Sequence, residues 1–164
     1  MKGKKLLIGL LAAVVLVAVT VAPVMADTGT TDITGTVPKA IEVTAPGDFA
    51  MPSLDPATSP ITSSVQTATV NANHAGWTLT VVEAGGTPDG KMAPTAGAPL
   101  ASAMTVTGGD QTTYASLDSA VSLETAGAAG TTNINDIYFQ QAVGWGDEAG
   151  AYSITITFEA SAAP

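Results

Sequence analysis

The chain of 164 residues has no cysteine and no arginine, and its only histidine is His74. Without cysteine there is no disulfide and no thiolate chemistry, so stability must come from an apolar core. Five lysines against 14 acidic side chains give a net charge of −9. Such a surface cannot release counterions from a phosphate backbone, which argues against nucleic acid and anionic lipid as partners. One histidine cannot build a zinc site. The chain also lacks a Gly-x-Ser-x-Gly elbow and a phosphate-cradling Gly-x-x-x-x-Gly-Lys loop. The inventory alone still permits a Ser-His-Asp arrangement, but His74 has an ordinary role in a turn, and a non-enzymatic function is expected.

What is present begins with an export signal. Lys2, Lys4 and Lys5 form a basic lead, residues 6–21 an apolar run, and Val24-Met25-Ala26 a small-residue cleavage site ahead of Asp27. An uncleaved anchor is the competing reading, because the run lies near the lower length limit for spanning a bilayer. Pro23 and the Val-x-Ala site favour cleavage. A pilin-type signal would need the run to persist as an assembly helix, and Pro23 with the Thr/Gly-rich stretch after it offers no helical continuation. Residues 1–26 are therefore expected to be a signal peptide, and the mature protein to be secreted with no transmembrane anchor. Removing 26 of 164 residues leaves 138, enough for one self-sufficient domain. Lys39 and Lys91 then face all 14 carboxylates, and 2 minus 14 gives a mature net charge of −12. Cationic partners, divalent metals and neutral glycans stay open.

Alternating apolar and polar residues dominate the mature chain. In the closing run Tyr152, Ile154, Ile156 and Phe158 point one way and Ser153, Thr155, Thr157 and Glu159 the other; Trp77, Leu79 and Val81 alternate likewise. Residues 32–37 and 40–44 read as two short extended pieces broken by Pro38, which suits an edge. Residues 46–60, with four prolines, read as an ordered loop that Phe49, Met51 and Leu54 pin to the core. Residues 64–71 and 77–83 flank a connection with Asn and Gly available for positive φ, so an antiparallel hairpin is expected there. Residues 103–107, 120–125 and 137–144 supply further strands, and 137–145 is expected to pair with 151–160 as a second hairpin. Pro88-Asp89-Gly90 marks a turn. About eight short antiparallel strands without a helix indicate an all-β fold, a β-sandwich or jelly-roll. Residues 27–46 would form an extended N-terminal segment or edge strand, and residues 47–164 the β-sandwich domain.

Trp77-Thr78-Leu79, followed by Tyr152, Ile156, Thr157 and Pro164 in the register Tyr-x-x-x-Ile-Thr-Phe-x-Ala-x-x-x-Pro, resembles the paired signatures of the WxL domain of bacterial cell-surface proteins. Phe158 stands where that family has its distal Trp, and Ala160 where it has Leu. The resemblance implies a secreted, non-catalytic domain held non-covalently on the cell wall, usually through peptidoglycan.

Candidate ligand-binding residues are Trp145, Trp77 and Phe158. Trp77 and Phe158 belong to alternating apolar faces, which favours a core role over a ligand platform. Trp145 lies between Gly144 and Gly146 at the entry to an acidic turn, where an aromatic ring can project and stack on a sugar or a partner. Asp136, Asp147 and Glu148 are weak candidates for calcium, since their spacing matches no EF-hand loop, and a solvated acidic rim is the simpler reading. As a glycosidase pair they would need a separation that sequence does not set.

Two non-catalytic classes follow. One is a module that binds cell-wall polysaccharide, surface glycan or other surface proteins. The other is a structural subunit of an extracellular fibre or surface layer, self-assembling through strand donation by residues 27–45 in trans; the same residues could also pair in cis.

Overall fold

The computed structural model describes residues 31–85 and 88–162. The proposed signal peptide, residues 27–30 and the terminal Pro164 of the distal register lie outside the described residues. The chain separates into two units, Met1–Thr36 and Val37–Pro164. Of the first, residues 31–36 are described; they are exposed and form no strand. Among the described residues, the second unit carries all of the regular structure. Among the described residues no helix is long and apolar enough to cross a membrane.

The fold is all-β, with eleven short strands rather than about eight. In chain order they are β1 (Ile41–Thr44), β2 (Ile61–Thr62), β3 (Gln66–Ala72), β4 (Trp77–Glu83), β5 (Ala93–Pro94), β6 (Thr105–Gly108), β7 (Gln111–Ser116), β8 (Val121–Gly127), β9 (Gly130–Gln141), β10 (Tyr152–Ser153) and β11 (Ile156–Ala162). A six-stranded sheet runs β1-β3-β9-β6-β7, with β2 added along β9. A three-stranded sheet runs β11-β4-β8, and β10 pairs with β5. Every pairing is antiparallel.

Period-2 alternation places the core between the two main sheets. Ala68 and Val70 of β3, Val106 of β6 and Ile134, Ile137 and Phe139 of β9 face Trp77, Leu79 and Val81 of β4 and Val121 and Leu123 of β8. Met92, Leu100, Met104 and Leu117, from the connections, join the same cluster.

Three local expectations are corrected. Residues 32–37 form no strand; only residues 41–44 of the N-terminal segment pair, as the edge strand β1 along β3. The connection between β3 and β4 is an arch between sheets rather than a hairpin, so the two strands face each other across the core. Asn73 does not close a turn there. Its Oδ1 accepts the Ala40 N–H at 2.8 Å and its Nδ2 donates to the Pro38 carbonyl at 2.8 Å. Gly76, at φ 81, donates its N–H to the Gly127 carbonyl and so starts the other sheet. Asn and Gly serve an arch as well as a hairpin, and local turn chemistry does not separate the two.

The third correction concerns the C-terminus. β9 already has partners on both edges, β3 and β2 on one side and β6 on the other, so the final strand cannot pair with it. The closing run instead divides. Tyr152–Ser153 pairs with Ala93–Pro94, and Ile156–Ala162 crosses to β4. The alternation survives this break: Tyr152, Ile154, Ile156, Phe158 and Ala160 all pack against the core.

Candidate functional site

The register defines two ends of the sandwich. At the arch end lie Ile41, Ala72, Gly130, Trp77, Gly127 and Ala162, joined as neighbours across the strands. At the opposite end the chain leaves β1 into residues 45–54, β9 runs out at Gln141, and β11 begins. A groove of about 850 Å³ opens there, between residues 45–54 on one side and 149–158 on the other. Phe139, Met92 and Met104 reach it from the core, and Phe49, Met51 and Leu54 line its loop wall. The Phe49 ring stacks on Phe139 with centroids 5.4 Å apart and planes inclined by 30°. Met51, Met92 and Met104 are the only methionines in residues 31–162, and all three line this groove. Thioether side chains adapt to irregular apolar surfaces, so the groove wall can accommodate an incoming apolar segment.

Beside the groove, residues 144–150 form the acidic turn. Asp147 clamps it: Oδ2 accepts the Gly144 N–H at 2.7 Å and Oδ1 the Ala101 N–H at 2.8 Å. The Asp147 N–H returns to the Gly144 carbonyl at 3.2 Å. Val143 N–H donates to Ser59 Oγ at 2.8 Å, and the Tyr152 hydroxyl donates to the Glu148 carbonyl at 2.7 Å. Just before the turn, the buried Gln141 amide donates from Nε2 to the carbonyls of Ser102 and Ala142. These bonds hold the backbone of the turn and leave its apex in solvent. That apex is Trp145, 83% exposed.

The candidate residues are thus separated. Trp77 lies at the arch end, completely buried, with its indole N–H donated to the Ala128 carbonyl at 2.9 Å. With no free face and no free donor it cannot contact a ligand, and it is corrected to a core residue. Phe158 is half-buried in the groove wall, one strand from Val81. Asp136 is exposed at φ 58 in a β9 bulge, where the register with β3 shifts. Among the described residues no three His, Cys, Asp or Glu side chains converge to hold a metal. Asp136, Asp147 and Glu148 therefore form no calcium cage, and both Asp147 oxygens serve backbone N–H groups. The groove was the site that sequence reasoning missed; Phe49, Met51 and Leu54 read only as pins for a loop.

The two N–H donors, Gly144 first and then Ala101, hold the Asp147 carboxyl below its ordinary value of 3.8, against a smaller opposing effect of burial. A carboxyl depressed in the folded state adds stability above its unfolded value and loses it as pH falls through the folded one. The turn is therefore expected to loosen at pH below 3.8. Fluorescence anisotropy of Trp145, read in a Trp77→Phe background, should fall in that window. In the Asp147→Asn variant it should already be low at neutral pH and show no acid step. A persistent step in that variant would show that another group governs the turn.

Compared with known protein families and with characterised proteins, the chain matches none of them.

Proposed function

We propose that the chain is a secreted, non-catalytic cell-surface module, similar to WxL domains, that holds cell-wall polysaccharide or surface glycan non-covalently through its Trp145 turn. The observation that carries this reading is the exposed indole of Trp145 on a turn locked by Asp147. A turn backbone held in place before binding loses little conformational freedom when its exposed aromatic ring stacks on the apolar face of a sugar, so more of the contact energy appears as affinity. The acidic, arginine-free surface suits a neutral polymer rather than a phosphate-rich one. The pairing of the two WxL-like segments as neighbouring strands, with Leu79 opposite Ala160 and Trp77 opposite Ala162, supports the family reading. Phe158 and Ala160 remain departures from it.

The test uses exported protein, its Asp27 terminus checked by mass spectrometry, sedimented with purified cell walls. Trp145→Ala is expected to weaken binding on the order of 30-fold, as for an aromatic hot spot worth about 2 kcal/mol. Its unfolding midpoint should stay nearly unchanged, as for an exposed position. Unchanged sedimentation would remove Trp145 from the site. An intact protein that binds no wall material would overturn the reading.

A second reading, a structural subunit of a fibre or surface layer, is favoured by a different observation. Ile33 and Val37 are 93% and 84% exposed in a segment that joins no sheet of its own chain. Isolated large apolar side chains at such exposure gain most from burial against a neighbour.

A further inference from the structure

Resting on the fibre-subunit reading, we propose that residues 31–37 of one copy dock as a strand into the groove between residues 45–54 and 149–158 of the next copy, joining copies head to tail. The donor has the pattern of a half-buried strand. In an extended chain Ile33, Gly35 and Val37 share one face, and Asp32, Thr34 and Thr36 the other. Both large residues on the first face stand in solvent.

The acceptor is built for such a guest. Phe49, Met51, Leu54, Ile154, Ile156 and Phe158 give it apolar walls, interrupted by the polar Asp48, Ser53, Ser153 and Thr155. Ile154 and Thr155 belong to neither β10 nor β11. β11 itself pairs only with β4, and although β1 packs close to it, the two form no ladder among the described strands. An incoming strand therefore meets an apolar trough and a sheet edge together, the combination that strand addition uses.

The chain enters the second unit at the arch end, where Pro38 and Ala40 are tied to Asn73. The groove lies at the other end, where β1 has given way to residues 45–54. A donor segment and an acceptor groove that are different surfaces make a heterologous contact, which builds an open filament where its rotation does not close into a ring.

Because the chain has no native cysteine, introduced ones report without background. Exported Thr34→Cys protein mixed with exported Ser153→Cys protein and a short bismaleimide should give covalent heterodimers. The protein carrying both substitutions should give a ladder. Thr131→Cys, at the arch end, serves as the control position. Ile33→Asp with Val37→Asp, both at exposed positions, should leave circular dichroism unchanged and weaken self-association about 100-fold, as expected from losing two buried aliphatic anchors. Light scattering that shows a monomer at every concentration would overturn the fibre reading and this inference with it. Oligomers that survive the double aspartate substitution, or that cross-link equally well through Thr131→Cys, would overturn groove docking and leave the fibre reading standing. A Thr34–Ser153 link formed within one chain would overturn docking between copies.

Discussion

Trp77→Ala is expected to destabilise the domain by about 3–5 kcal/mol, the range for emptying a large aromatic site in a core. Against a total of about 5–15 kcal/mol for a domain of this kind, that loss leaves a substantial unfolded population at 37 °C. The reason is position. Trp77 is completely buried at the arch end, packed among residues of both sheets, and its indole N–H closes the Ala128 carbonyl. Removing it opens a cavity and loses that hydrogen bond, although the carbonyl of the exposed Ala128 can turn to water instead. Urea unfolding followed by circular dichroism measures the effect; a shift worth less than about 1 kcal/mol would contradict a central core role. The contrast with Trp145→Ala, near-neutral for stability, separates the two tryptophans of the chain by function.

Gly127→Ala should be nearly as damaging, by about 3 kcal/mol, from the opposite side of the same contact. A Cβ built on Gly127 would clash with Cε2, Cζ2 and Cδ2 of the Trp77 indole. Overpacking of this kind costs about 1–3 kcal/mol when neighbours can shift, and more when they cannot. Trp77 cannot shift freely, because its ring is enclosed and its N–H is bonded. The two substitutions are therefore expected to be strongly non-additive. In a Trp77→Ala background, Gly127→Ala should cost little or even restore stability by filling part of the void. A double-mutant cycle gives the coupling; strict additivity within about 0.5 kcal/mol would show that Gly127 matters for another reason.

This pair shows how sequence and structure divide the explanation. The alternation of Trp77, Leu79 and Val81 marks a strand with a buried face, and that face is buried. The need for glycine at position 127 is invisible in sequence, because Gly127 and Trp77 meet only after β4 and β8 pair. Residues 46–60 were legible as an irregular stretch pinned by Phe49, Met51 and Leu54. That their inner side forms one wall of a groove was not legible, since the other wall comes from residues 149–158 and the floor from Met92, Met104 and Phe139. Trp145 was legible as a loop aromatic between glycines. The clamp on its turn was not, because it reaches across the chain from Asp147 to Ala101.

By itself the sequence determined that the domain is all-β and antiparallel, that it needs no disulfide, and which side chains of residues 77–81 and 152–158 turn inward. These follow from a period of two residues and from turn formers, both local properties of a few successive side chains. Only the tertiary structure decided which strands are neighbours. It made an arch of residues 73–76, because Asn73 bonds back to Pro38 and Ala40 while Gly76 bonds across to Gly127. It sent the last strand to β4, because both edges of β9 were already filled. Pairing partners are chosen by competition among strand edges and apolar faces far apart in the chain, and a local pattern that suits several partners equally cannot choose among them.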